Sequence, residues 1–385
     1  MADKARRKTH GAVVLVVMLL LAWPAVAEDP IPLPWRGVLI GADHTSPAVH
    51  HDNVYVQIGG GPTAYYTSTP ARQEGSALVD PGILFHIFTR DTTPYTVYVT
   101  SSYSNGLESE LSEGLTIQGD YIGSSSCTEQ TVPVADAGED QVVTVGTSVT
   151  LDATDSHDPY SPDTPQLSYR WEPYSAPEAV TLSPDAQTPV TGFTPTTVGN
   201  YYFRLTVRDE VWGASFNRSP PAYVRVSAVL DRNDPNLLHA DAGRPRQVEV
   251  GQFVTLDGGR SVGPSDTTYR WEQTNPIGAR ELQSMAASFG TTDCNGACYK
   301  TNFDANSVVD GKDVALLANN WGPATIAFAD RPIAQFLATV ARPHIFRLSL
   351  NDGIAYTEDT TIVAVHHPDV AEVVTPPPFD PLCSP

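Results

Sequence analysis

ADAGEDQVVTVGTSVTLDATDS (residues 135–156) returns as ADAGRPRQVEVGQFVTLDGGRS (residues 240–261). Both copies carry D-A-G, then an alternating apolar run, then V-T-L-D, displaced by 105 residues. SYRWE (168–172) returns as TYRWE (268–272) at a displacement of 100, and YFRLTVRDE (202–210) as IFRLSLNDG (345–353) at 143. Self-similarity of this kind marks repeated structural units. The growth from 100 to 143 gives the second copy 43 extra residues, between Trp271 and its FRLSLNDG segment. Something has been inserted inside the second unit.

Each copy has the pattern of a half-buried sheet. Val149 and Leu151, like Val254 and Leu256, alternate with polar residues. Trp171 and Trp271 each supply one large ring over which two sheets can close. Phe203, Leu205 and Val207 form an inward row at period two, matched by Phe346, Leu348 and Leu350. Val224 and Val226 read as the inward row of the last strand, with Ile362 and Ala364 as their counterparts. Proline (33 residues) and glycine (28) punctuate Val/Thr/Tyr-rich runs, a composition that favours several small sandwiches over one enzyme core.

The order D-A-G, V-T-L-D, Y-R-W-E, F-x-x-x-x-x-G-x-Y-x-F-R-L-x-V-x-D resembles the polycystic-kidney-disease (PKD) type domains of bacterial surface and secreted proteins. In the first copy it runs Phe193, Gly199, Tyr201, Phe203, Arg204, Leu205, Val207, Asp209. In the second, Arg342-Pro343-His344 replaces the glycine-tyrosine pair. The resemblance spans 132–228 and 239–366. It implies immunoglobulin-like sandwiches that act as spacers, adhesive surfaces or binding modules. TPYTVYVTSSYSNGLESELSEGLTI (93–117) resembles the last strands of a fibronectin type III domain, with Tyr95, Val97 and Val99 inward and Asn53–Gln57 an earlier strand. The expected architecture is therefore mainly β. A fibronectin-like sandwich spans 31–120, followed by a linker (121–131), the first PKD-like sandwich, a linker (229–238) and the second. A Pro-rich tail covers 367–385.

The insertion, at about 277–323, carries NFDANSVVDGKD (302–313). On a twelve-residue calcium loop, Asn302, Asp304 and Asn306 take ligand positions one, three and five, and Val308 offers its carbonyl at seven. Asp310 takes nine and Asp313 twelve. Hard oxygen donors at this spacing suit Ca²⁺. Ser307 stands at position six, where glycine is usual, and is expected to be left-handed at some cost. A helix should follow, with Val314, Leu317, Ala318 and Trp321 on one face and Gly322-Pro323 as its end. Leu282, Met285, Ala286 and Phe289 repeat that spacing 32 residues upstream, after a loop near 270–281 that lacks the acidic pattern. The duplicated loop-helix design resembles dockerin repeats, whose EF-hand loops and exit helices bind cohesin modules in plant-polysaccharide degraders. Here the unit is internal rather than terminal. The competing reading of 302–313 is an Asp/Asn turn that caps the helix through Asp310. Cys294 and Cys298 are expected to form a local disulfide; Cys127 and Cys383 are the two remaining cysteines.

Lys4, Arg6, Arg7 and Lys8, an apolar run over 12–22, and Ala25-Val26-Ala27 read as a secretory leader covering 1–27. Removing it takes four basic residues and Asp3 away, moving the formal charge from −21 to −24. Such acidity disfavours nucleic acid and anionic membrane surfaces. No later apolar stretch is long enough to insert in a membrane, so a secreted, extracellular or cell-surface location is expected. No HExxH, G-x-S-x-G, G-x-x-x-x-G-K-S/T or G-x-G-x-x-G pattern occurs. DHTSPAVHHD (43–52) reads as a polar loop rather than a zinc site, because adjacent His50 and His51 would face opposite ways on a strand. His366-His367 reads likewise. Tyr160, Tyr174, Trp212 and Phe216 are candidates for stacking on sugar rings. The expected function is that of an exported, non-enzymatic, calcium-binding spacer, adhesion or protein-binding module. The alternative is an accessory component of polysaccharide breakdown, with a cohesin-like or extracellular polysaccharide partner.

Overall fold

The computed structural model describes residues 14–17, 36–43, 49–72, 86–89, 93–118, 133–158, 167–209, 219, 221–292, 298 and 300–371. The protein is mostly β, with immunoglobulin-like sandwiches in tandem and two short helices in the insertion.

In the first repeat, β8 (Gln141–Thr144), β10 (Leu167–Ser175), β12 (Gly199–Asp209) and β13 (Ala222–Val229) form one sheet in the order β10-β12-β13-β8. β9 (Val149–Asp152) and β11 (Val190–Phe193) form the facing sheet. The second repeat reproduces this. β14 (Arg246–Glu249), β16 (Thr268–Gln273), β19 (Arg342–Asn351) and β20 (Tyr356–His366) make the sheet β14-β20-β19-β16. β15 (Phe253–Asp257), β17 (Ile326–Ala327) and β18 (Ile333–Leu337) make the other, in the order β15-β18-β17. Even the registers agree: Trp171 lies opposite Leu205, and Trp271 opposite Leu348.

The D-A-G motif has a mechanical reason. Gly138 and Gly243 are left-handed, at φ 74° and 76°, and each presses on the carbonyl of the V-T-L-D aspartate. A Cβ on Gly243 would lie 2.7 Å from the Asp257 oxygen, so only glycine fits. The preceding aspartate accepts the glycine N–H at 2.8 Å in both repeats. Its own N–H is taken at 3.0 Å by Ser156 or Ser261, the serine that ends the repeated motif.

The cores follow the alternation. Val149, Leu151, Trp171, Phe203, Leu205 and Val207 are buried together, as are Val254, Leu256, Trp271, Phe346, Leu348 and Leu350. One row is corrected. The inward residues of β20 are Val363 and Val365, which join that core, whereas Ala364 faces the N-terminal unit between Tyr55 and Tyr65. Strand β20 is covered on both faces, so its apolar run has no alternation to reveal which side is which.

The N-terminal unit has the sheet β4-β3-β6-β7, from β3 (Val49–Ile58), β4 (Thr63–Ser68), β6 (Pro94–Tyr103) and β7 (Leu115–Gln118). A second sheet joins β1 (Val14–Val17), β2 (Arg36–Asp43) and β5 (His86–Thr89). The backbone of β1 lies within the apolar run of the expected leader. Val54, Val56, Val97 and Val99 form the unit's core, and Tyr95 packs against it. Val370 of the short helix α3 (Pro368–Ala371; α1 and α2 are placed below) enters the same core, so the expected tail begins as a docked element. Tyr174 is buried rather than exposed, donating to the Pro70 carbonyl at 3.2 Å with Arg72 over its ring. Tyr160, Trp212 and Phe216 lie outside the described residues. The three β units thus touch one another pairwise.

Candidate functional site

The insertion leaves the second repeat after β16 and returns at β17 through a closed neck. Ile277 bridges to both Trp321 and Gly322, and the Gly322 N–H donates to the Ile277 carbonyl at 2.8 Å. Between them lie α1 (Ala279–Ser288) and α2 (Gly311–Asn319). The helices form where the spacing puts them, but their faces are turned. Of the two expected apolar rows only Met285 and Leu317 are buried; Leu282, Phe289, Val314 and Trp321 are exposed. Ile277, Met285, Cys298, Phe303, Val309, Leu317 and Val340 make a separate small core. A unit this small cannot cover a full stripe on each helix. Cys298 is buried and disulfide-bonded. Cys294, its expected partner, lies outside the described residues, as do Cys127 and Cys383.

The loop 302–313 is ordered by its own side chains. Asp313, fully buried in the first turn of α2, accepts the Phe303 N–H at 2.7 Å on Oδ1 and the Asp310 N–H at 3.0 Å on Oδ2. Asp310 is the N-cap of α2 and accepts the Lys312 N–H at 2.7 Å. Asp304 accepts from the Asn306 backbone (3.2 Å) and side chain (2.7 Å), and Asn306 Oδ1 accepts the Val308 N–H at 2.7 Å. Asn302 Nδ2 donates to the Asn306 carbonyl, while Asn302 Oδ1 is buried with no hydrogen bond among the described residues. The left-handed residue is Ala305 (φ 55°), not Ser307, which corrects the expected strain. The chain reverses two residues earlier because the Asp304–Asn306 bonds tighten the turn there.

This geometry contains the helix-capping turn, and it leaves one oxygen unexplained. A buried amide oxygen without a donor is costly. Burial pushes the Asp313 carboxyl above its usual range, and nearby Asp304 adds to this. Asn302 Oδ1 and the carboxylates of Asp304 and Asp313 are of the oxygen type that a hard cation takes, although both Asp313 oxygens already accept backbone N–H groups. Among the described residues no three His, Cys, Asp or Glu side chains converge on one point. The carboxylates of Asp304, Asp310 and Asp313 therefore do not form such a group.

Of the expected polar loop over 43–52, Asp43 ends β2 and residues 44–48, His44 among them, lie outside the described residues. Val49–Ile58 is strand rather than loop, and the register slips between Val49 and His51. That bulge cancels the alternation and brings the rings of His50 and His51 together, Nδ1 to Nδ1, at 2.8 Å. Burial lowers the His50 pKa and holds His51 at about 3, so both are neutral. Asp52 is buried too, accepting from Ser101 at 2.9 Å and pairing with Arg72 at 3.4 Å. His367 serves the insertion, its Nε2 lying 3.0 Å from the Phe303 carbonyl.

A second feature escaped the motifs. The N-terminal unit, the insertion and β19 enclose a cleft of ≈ 690 Å³, lined among others by His51, Tyr55, Glu108, Asn275, Glu281 and Arg342. Those residues come from segments up to about 290 positions apart in the sequence. No local spacing could have announced them.

Residues 137–215 match the family model for the PKD domain of KIAA0319-like proteins and form a PKD domain. The chain is similar to the dyslexia-associated protein KIAA0319 homolog of Rattus norvegicus, at 30% identity over 54% of this chain and 17% of the relative. The Mus musculus homolog aligns at 27% identity over 78% of this chain and 25% of the relative. The chain therefore spans a quarter or less of those relatives. Among solved structures, the PKD domain from KIAA 1837 protein is 33% identical over 29% of this chain and 99% of that one, with a TM-score of 0.20. A SusE-like surface-located polysaccharide-binding protein from the Bacteroides thetaiotaomicron heparin utilisation locus is 10% identical over 86% of this chain and 58% of that one, with a TM-score of 0.35.

Proposed function

We propose that the protein is an extracellular or cell-surface adhesion or binding module, not an enzyme, and that its dockerin-like insertion is held in shape by Ca²⁺. The PKD domain and the repetition of its sandwich support the first part. No helix among the described residues is long and apolar enough to cross a membrane, and a secretory leader at 1–27, as the sequence suggests, would carry the chain out of the cell.

The observation that carries the calcium part is Asn302 Oδ1, buried and without a donor among the described residues, in the same loop as the carboxylates of Asp304 and Asp313. Asn302, Asp304, Asn306, the Val308 carbonyl, Asp310 and Asp313 would hold the ion, whose role is to cross-link the loop to α2. Binding to the folded state alone raises stability by mass action. Millimolar Ca²⁺ should raise the melting temperature of the full chain, and Asn302→Ala with Asp304→Ala should abolish the rise. A wild-type melt identical in chelator and in excess Ca²⁺ would sink this reading.

A second reading follows from the exposed faces of the insertion. Leu282 and Phe289 on and just beyond α1, with Val314 and Trp321 on and just beyond α2, leave apolar surface uncovered. That surface suits a protein partner such as a cohesin-like module, as in accessory components of polysaccharide degradation. A pull-down with immobilised full chain tests it; retention of partners unchanged by Trp321→Ala and Val314→Asp would count against it.

A further inference from the structure

Two buried polar atoms of residues lining the inter-unit cleft make no hydrogen bond among the described residues, and one of them is held only by an ion pair. His51 Nε2, on a ring 3% exposed, makes no hydrogen bond. Across the cleft, Arg342 donates through Nη2 to the Asn275 carbonyl at 3.1 Å, while Nη1 lies 3.5 Å from Glu281 and also makes no hydrogen bond. Leaving two such groups buried costs free energy that a ligand would recover. The volume lies within the usual range for a small-ligand site, and the place is usual too, between domains.

The lining limits the ligand. Arg280, Lys300 and Arg342 outnumber Glu108 and Glu281, a local excess of one positive charge in a chain of net −21, with Arg280 donating to the Gly106 carbonyl and Lys300 to the Ser109 carbonyl at 3.3 Å. Glu108 is occupied, accepting from Asn53 at 3.1 Å and Tyr55 at 2.9 Å. Glu281 accepts the Gly278 N–H at 2.8 Å. A single anionic group at Arg342 would share the guanidinium with Glu281, whereas a polyphosphate would meet both glutamates. Neutral His51 offers either a donor or an acceptor at Nε2, depending on which ring holds the shared Nδ1 proton. A hydroxyl satisfies it either way, since hydroxyls donate and accept. One carboxylate beside a hydroxyl describes a hydroxy acid, and a uronic acid is the form in which an extracellular polysaccharide offers one.

We propose that this cleft binds a uronate unit of an acidic extracellular polysaccharide, with its carboxylate on Arg342 and a hydroxyl on His51. The inference rests on reading the chain as an extracellular binding module, but not on its calcium. Titration calorimetry of the full chain with a tetragalacturonate should show saturable 1:1 binding that weakens with salt. Arg342→Gln and His51→Phe should each weaken it at least ten-fold. Ser284→Trp, which fills the cleft from the surface of α1, should abolish it, and this variant decides the matter if either of the others misfolds. Absence of binding would overturn the proposal. So would equal affinity for a neutral tetrasaccharide, equal affinity for tetraglutamate, or indifference to Ser284→Trp. A calcium-dependent melting shift that survives such a failure would leave the broader function standing.

Discussion

Arg225 of the first repeat is ion-paired with Asp359 of the second, in a joint from which water is nearly excluded. Asp241 pairs with the same guanidinium, and Asp140 lies 3.9 Å away. The Ala242 N–H donates to Asp359 at 2.8 Å, and the Arg225 N–H to Asp140 at 2.9 Å. Burial alone would lower the Arg225 pKa, but Asp359, Tyr202, Asp241 and Asp140 outweigh it and raise it well above the usual value. One arginine thus acts as counter-ion to three aspartates drawn from both repeats.

Arg225→Met is therefore expected to destabilise strongly, by about 3–5 kcal/mol, since it strands buried carboxylates without a counter-charge. Calorimetry should show a lower and split transition. A loss under about 1 kcal/mol would mean that water solvates the joint after all.

Little of this joint was legible in the sequence. Val224 and Val226 mark the inward face of β13, so the residue between them reads as solvent-facing, and its cover comes from another unit. Strand β20 was misread by one residue for the same reason. The repeat itself was plain, because each D-A-G glycine and its aspartate partner are fixed by contacts within one motif. The spacing of 302–313 was also visible, although the left-handed turn fell at Ala305. At His50-His51 a bulge defeated alternation, and a bulge leaves no mark in side-chain chemistry.

Ala364→Lys tests the contact between the N-terminal unit and β20. Ala364 faces Tyr55 and Tyr65, whereas the core residues Val363 and Val365 point the other way. A lysine there should release the N-terminal unit while the second repeat stays folded. Small-angle scattering should report a larger radius of gyration, with the melting transition of the repeats retained. An unchanged radius would show that β4 and α3 hold the unit without this face.

Acid should act through Glu178. Thr196 donates to it from side chain and backbone, the backbone bond at 2.6 Å, and Tyr201 donates from its hydroxyl at 2.5 Å; these bonds lower its pKa to about 2. A depressed carboxylate stabilises the fold above its unfolded pKa of roughly 4.3, and that contribution fades as pH falls toward 2. Glu178→Gln should thus lower the melting temperature at pH 7. The gap from wild type should narrow below about pH 4.3 and close near pH 2. A gap independent of pH would refute the assignment.

The two tryptophans should respond unequally to loss of the indole nitrogen. Trp271 Nε1 donates to the Arg331 carbonyl at 3.1 Å, whereas Trp171 Nε1 is buried with no partner among the described residues. Trp271→Phe should cost about 1 kcal/mol more than Trp171→Phe in urea unfolding, because it orphans that carbonyl. Equal costs would mean that ring volume alone matters.

Val370 sits beside Val54 and Val56, so the last described segment is anchored in the unit that opens the chain. The first described unit with a hydrophobic core and the last described helix therefore share one apolar contact, which closes residues 49–371 into a loop through space.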